Sequence, residues 1–183
     1  MKKAAILASV WLWASCVLMG QDIKSPLRVK PVNQSTLGGI GKVFLYDTYL
    51  SPLRYDGIAF SLLHDRLNGT SLADGSLLMQ QQFRIQVAIT DNPTSSASEY
   101  YGVVDYRING LYPLLDTPRF RLLGGGGWDA SLGGIYNVRN SNNPGSLKTS
   151  TNLNLTAMAL YQWRDITFRW QLTTPFAGLF FSP

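Results

Sequence analysis

The chain has 183 residues, with sixteen Lys and Arg against eleven acids and a formal charge of +5. That length makes about one domain. A 45% apolar content excludes a disordered segment, and one Cys with one His excludes a Cys/His metal site of known spacing. Glu occurs once, while Gly, Tyr, Thr and Asn are plentiful, so a helical bundle is excluded and β structure is favoured.

Residues 1–20 read as a secretory signal peptide. Lys2 and Lys3 precede an apolar run from Ala4 to Met19, and Gly20 is the small residue at the cleavage point. The run is about 16 residues, short of the ~20 a membrane-anchoring helix needs. Cys16, in Trp13-Ala14-Ser15-Cys16, offers lipidation as an alternative, but the apolar Val17-Leu18-Met19 after it is unlike a processed lipoprotein. Without residues 1–20 the charge falls to +3 and no Cys remains. The basic residues are scattered singly, which argues against nucleic-acid binding.

Residues 21–40 are polar, with Pro26, Pro31 and Gly38-Gly39, and are expected to form an N-terminal arm. Residues 41–183 are expected to form one β domain, because apolar and polar residues alternate with a period of two. Segment 42–50 alternates weakly. In 57–64, Ile58, Phe60 and Leu62 share a face. In 77–90, Phe83, Ile85 and Val87 oppose Arg84 and Gln86. In 99–109, Val104, Tyr106 and Ile108 oppose Asp105 and Arg107. Segment 119–139 keeps one phase through Gly124–Gly127, which predicts one strand of about 20 residues or two joined in register, since a slip would swap the faces. Segments 152–163 and 165–172 follow, the latter with Phe168, Trp170 and Leu172 opposite Arg169 and Gln171. Turns are expected at Ser51-Pro52, Asn68-Gly69, Asp74-Gly75, Asp91-Asn92-Pro93, Pro113, Pro118, Asn142–Gly145 and Arg164-Asp165, and a new strand at Pro175.

These seven segments predict an all-β, antiparallel up-and-down β-barrel of the outer-membrane type. The spans reach the ~9–11 residues a tilted crossing needs. The polar faces carry Gln, Asn, Thr and Arg. Tyr100, Tyr101, Tyr112, Trp163, Phe180 and Phe181 stand near strand ends, as an interfacial girdle would, whereas Trp128 and Trp170 are mid-strand. Phe83, Ile85, Val87, Phe168, Trp170 and Leu172 are expected to face lipid, with Phe168 mid-strand. Arg84, Gln86, Asp105, Arg107, Arg169 and Gln171 are expected to face the interior, where Asp105, Arg107, Asp129, Arg84 and Arg169 are expected to form structural ion pairs, with a pore lining as the alternative. Single-chain bacterial barrels have even strand numbers. Seven strands therefore mean either an uncounted strand in an eight-stranded barrel or a chain lacking its last strands.

Tyr49–Gly57 (Tyr-Leu-Ser-Pro-Leu-Arg-Tyr-Asp-Gly) with His64-Asp65-Arg66-Leu67 resembles the opening hairpin of an uncharacterised family of exported β-barrel proteins from Gram-negative gut anaerobes, known as a domain of unknown function. Pro175–Pro183 resembles a segment that further strands follow in that family. The resemblance spans about 41–183 and implies an outer-membrane barrel with its C-terminal strands missing and no activity.

Chemistry is sparse, and no catalytic, cofactor-binding or metal-binding residue is assigned. His64 invites comparison with barrel enzymes that cleave or transfer lipopolysaccharide acyl chains. Ser61, three residues away, and Asp65, one residue away, fall on the opposite strand face. Gly124–Gly127 lacks the Lys-Ser/Thr and the helix of a phosphate loop. Asn68-Gly69-Thr70 and Asn154-Leu155-Thr156 match a glycosylation pattern by chance. The expectation is a non-enzymatic outer-membrane barrel without cofactor, metal or nucleic acid, whose partners are outer-membrane lipid and the barrel-assembly machinery. The alternatives are a lipid acyl hydrolase or acyltransferase using His64, and a soluble periplasmic β-barrel binding a small apolar ligand.

Overall fold

In a computed structural model, the described residues are Cys16–Val17 and 33–182. Residues 1–20, expected to be a signal peptide, and the expected arm up to residue 32 lie outside them apart from that dipeptide. The strands are β1 (Cys16–Val17), β2 (Asn33–Leu45), β3 (Tyr55–Gly69), β4 (Leu78–Asp91), β5 (Ser98–Asp116), β6 (Phe120–Asn137), β7 (Gly145–Trp163) and β8 (Ile166–Phe181). They form one sheet in the order β1-β8-β7-β6-β5-β4-β3-β2, antiparallel throughout. From β2 to β8 every strand pairs with its sequence neighbour, so seven long strands make an up-and-down meander.

The sheet is not closed. Among the described residues β2 pairs only with β3, and β8 pairs with β7 and, at Thr167 and Phe168, with β1. The sheet is nevertheless strongly rolled. Arg169 of β8 donates to Asp65 of β3 at 2.6 Å, and Tyr55 of β3 accepts from Asn137 of β6 at 3.1 Å. The β2–β3 connection also meets the β6–β7 connection, where Asn140 donates to the Leu50 carbonyl at 3.1 Å and Asn143 bonds to Tyr49.

Several expectations shift. The meander begins at Asn33, inside the segment read as an arm, because Gln34–Ile40 pairs residue for residue with β3 although most of its side chains are small or polar. Pro113 and Pro175 are not breaks. Each lies within a strand at a register shift, between Pro113 and Leu115 in β5 and opposite Leu153/Asn154 in β8. Proline lacks an N–H, and a bulge or edge strand is where a ladder tolerates that loss. Segment 119–139 is one strand, β6, and Gly124–Gly127 continues its ladder. The hairpin between β7 and β8 is Arg164-Asp165, with Arg164 in the left-handed region at φ 56°.

Inward side chains form three layers. Leu45, Leu50, Tyr55, Ala97 and Ile135 cluster at the end where β2 meets β3. Leu67, Leu78, Leu111, Leu123 and Met158 cluster at the other end. Between them lies a polar belt. Gly125 and Gly127 face inward where the neighbouring strand is very close. A Cβ on Gly125 would stand 1.9 Å from the Gly110 carbonyl oxygen, and one on Gly127 2.0 Å from that of Ile108.

Candidate functional site

The polar belt is built around two carboxylates. Asp65 (β3) accepts from Arg169 (β8) at 2.6 Å, from Gln82 at 3.0 Å and from Gln80 at 3.2 Å. Asp129 (β6) accepts from Arg107 (β5) at 3.3 Å, from Asn152 at 2.7 Å and from Asn154 at 2.5 Å. Gln80, fully buried, exchanges hydrogen bonds with Gln171 and accepts from Asn109. A third pair, Arg84–Asp105 at 2.7 Å, is more exposed. Three acids and three arginines thus neutralise one another inside. A buried charge is tolerated only when paired and hydrogen-bonded, and these groups are.

All six interior residues named from the sequence face inward: Arg84, Gln86, Asp105, Arg107, Arg169 and Gln171. Asp129 is inward with them, as expected, and Asp65, Gln80, Asn109 and Asn154 complete the belt. Asp65 is not among the residues expected to face the interior. The signal that finds it is parity, since odd positions of β3 are inward from Tyr55 to Leu67.

The outer face has opposite chemistry. Phe83, Ile85, Val87, Trp170 and Leu172 project outward, the last 72% exposed, and Phe168 stacks on Trp170 with ring centroids 6.0 Å apart. Ile58, Phe60, Leu62, Val104, Leu132, Leu153 and Leu155 extend the surface. Outward positions carry no Asp, Glu, Lys or Arg from Ile58 to His64, Met79 to Ile89, Tyr100 to Leu115, Phe120 to Tyr136, Leu147 to Trp163 or Ile166 to Phe181. Outward charges sit at strand ends, in Asp56, Arg66 and Asp91, with Lys42 on the edge strand β2.

Aromatic residues flank this band. Tyr100 pairs with Tyr136 toward one end, and Phe120, Tyr161 and Phe168 form a cross-strand row toward the other, beside Trp163. Two girdle and two mid-strand assignments need correcting. Tyr101 and Phe180 face inward, the latter because the bulge at Pro175 inverts the alternation beyond it. Trp170 lies near the start of β8 and belongs with the lower row. Phe168 is the third residue of β8, not mid-strand.

His64 is outward, between Thr36 of β2 and Phe83 of β4. Its Nδ1 lies 2.9 Å from the Thr36 hydroxyl, and Ser61 and Asp65 point to the other face. No carboxylate orients the ring, so it lacks the third member of a nucleophile–base–orienter arrangement. Asn154 is 1% exposed and bonded to Asp129, which rules it out as a glycosylation acceptor.

A recess of about 200 Å³ lies inside near β7, lined by Tyr101, Val103, Ser131, Lys148, Ser150 and Phe180. Lys148 reaches from it to Asp47 in the β2–β3 connection at 2.8 Å. Burial opposes ionisation of Asp47, but Lys148 and the Tyr49 backbone N–H outweigh it and hold the carboxyl below its ordinary range.

The model of a family described as protein of unknown function (DUF3316) matches residues 12–183. No curated protein and no solved structure matches the chain.

Proposed function

We propose that this chain, which belongs to the DUF3316 family of proteins of unknown function, is a non-enzymatic outer-membrane β-barrel protein, exported by the leader at residues 1–20. The observation that supports it is the reversal of polarity across one sheet. Ion pairs and carboxamides occupy the enclosed side, and an uncharged, aromatic-flanked band faces out. In water the stable arrangement is the reverse. A soluble β-barrel binding an apolar ligand would bury Phe83, Ile85, Val87 and Trp170, and it would not leave so large an apolar surface bare.

The dimensions agree. The outward run from Met79 to Ile89 spans ten residue steps, ~33 Å along the strand at ~3.3 Å each. At a tilt of ~40° it stands ~25 Å tall, the height of a barrel's apolar band. The middle of the interior is occupied by its own side chains, in the Asp65–Arg169 and Asp129–Arg107 networks with Gln80 and Asn109, as in the smallest barrels, which favours a structural or binding role over conduction. The hydrolase reading is disfavoured because His64 has a hydroxyl partner but no orienting carboxylate.

The test is Ile85→Arg, at the middle of the band. The expected loss is ~2–4 kcal/mol of stability in lipid, and only ~0–1 kcal/mol for Phe168→Arg near the strand end. Unfolding in vesicles with heat-modifiable gel migration reads both. A near-neutral Ile85→Arg, or a protein that extracts without detergent, overturns the proposal.

A further inference from the structure

At the end of the sheet that carries the β3–β4 connection, the outward aromatic row covers only part of the surface. Tyr112, Tyr161 and Phe168 stand four, two and two residues from the ends of β5, β7 and β8 there. On β2, β3 and β4 the same level is polar. Arg66 and Gln81 each stand three residues from the end of their strand, and Gln34 stands one residue from the start of β2. These three are in register, Gln34 opposite Arg66 and Arg66 opposite Gln81, and all point outward. Directly opposed side chains on one face lie ~5 Å apart. Thr36 and His64 form the next outward row, joined at 2.9 Å through His64 Nδ1.

Arg66 is held in a defined posture. Its Nε donates at 3.2 Å to Asn68, two residues nearer the strand end on the same face, which turns the guanidinium toward the rim. Its terminal N–H groups have no acidic partner among the described residues, where every ion pair uses another cation. The outward acids of β3 and β4, Asp56 and Asp91, stand at the opposite ends of those strands. The patch therefore carries one sign of charge. A cation on a lipid-facing strand is tolerated near the interface, because its stem lies along apolar surface while its head reaches the polar layer. Arginine offers parallel N–H donors that match two oxygens of a phosphate, and carboxamides add further donors. We infer that Arg66, flanked by Gln34 and Gln81 and backed by His64, binds the phosphodiester of a membrane glycerophospholipid. The acyl chains lie along Leu62, Phe83 and Ile85, the exposed apolar residues that follow on the same face of β3 and β4. That apolar continuation of the polar patch is what favours a lipid over a free anion.

The site rests on the membrane reading of the proposed function, and its test separates the two. The full chain is purified in detergent, stripped of lipid and titrated with phosphatidylglycerol, with binding read by native mass spectrometry. Arg66→Gln is compared with Arg164→Gln, which removes a cation beside Trp163 at the same end of the sheet. One lipid is expected to bind the parent and Arg164→Gln alike, and to bind Arg66→Gln about tenfold more weakly, as loss of a charge-assisted contact gives. Equal binding by all three proteins, or equal loss in both variants, overturns the site. Inorganic phosphate in about tenfold excess over the lipid is expected to leave it bound, and its displacement would mark a free-anion site and overturn the lipid assignment. If heat-modifiable migration shows that Arg66→Gln does not fold, Gln81→Leu carries the comparison, with about threefold weaker binding expected for a lost neutral hydrogen bond and unchanged binding overturning the site. Extraction without detergent sinks the membrane reading, whereas equal binding in a protein that requires detergent sinks the headgroup site alone.

Discussion

At the residue scale, the interior pairs differ in how far they leave water, and their energetic roles differ accordingly. Asp65 and Arg169 have 8% and 13% of their side chains exposed, while Arg84 is 46% exposed in its pair with Asp105. Removing one partner of the first pair strands a buried charge. Arg169→Met is therefore expected to destabilise the fold by ~3–5 kcal/mol. Arg84→Met is expected to change it by less than ~1 kcal/mol, as exposed pairs do. Urea titration of the two variants in vesicles checks the contrast, and equal losses would show that the belt does not rest on Asp65. Arg84, Asp105 and Arg169 were legible as inward from parity alone. Their partners were not, because Asp65 and Arg169 are 104 positions apart and meet only when the sheet rolls.

At the scale of the strand, β6 is decided by glycine. A β-strand interior is a poor place for glycine, which packs nothing and loses more backbone entropy than any other residue. Here Gly125 and Gly127 let β5 and β6 approach on the inner face. Gly127→Val is expected to prevent the β5–β6 pairing from forming, because its Cβ would fall 2.0 Å from the Ile108 carbonyl and 2.3 Å from Asn109 Oδ1. Gly41→Ala, in open space, is expected to fold normally. Heat-modifiable migration of the two variants reads this directly. The unbroken phase through Gly124–Gly127 was visible in the sequence, and so was the single long strand it implies. The prolines were misleading in the same chain. Pro113 and Pro175 look like stops by local rules, yet a bulge absorbs each, and whether a bulge is available depends on the neighbouring strand.

At the scale of the molecule, the β2–β3 connection closes one end of the roll. Asp47 clasps Lys148 from the far side of the sheet, Asn140 holds the Leu50 carbonyl, and Leu45, Leu50 and Tyr55 pack beneath. Because the Asp47 carboxyl is held below its ordinary range, it binds fewer protons folded than unfolded. The stability it contributes is complete above the unfolded value of ~3.9 and is lost as pH falls through the lower folded value. Acid titration of the parent and Asp47→Asn is expected to give a gap at neutral pH that closes below about pH 4. A gap that persists undiminished in acid would exclude the clasp as its cause.

The amino-acid sequence by itself determined the number of long strands and the two faces of each, because a pleated strand sends alternate side chains to opposite sides and the chain keeps that phase. Only the tertiary structure decided which face is enclosed, which carboxylate meets which arginine, and that, among the described residues, β2 pairs only with β3. Those outcomes come from the curvature of the whole sheet, and alternation is the same whichever way a sheet bends.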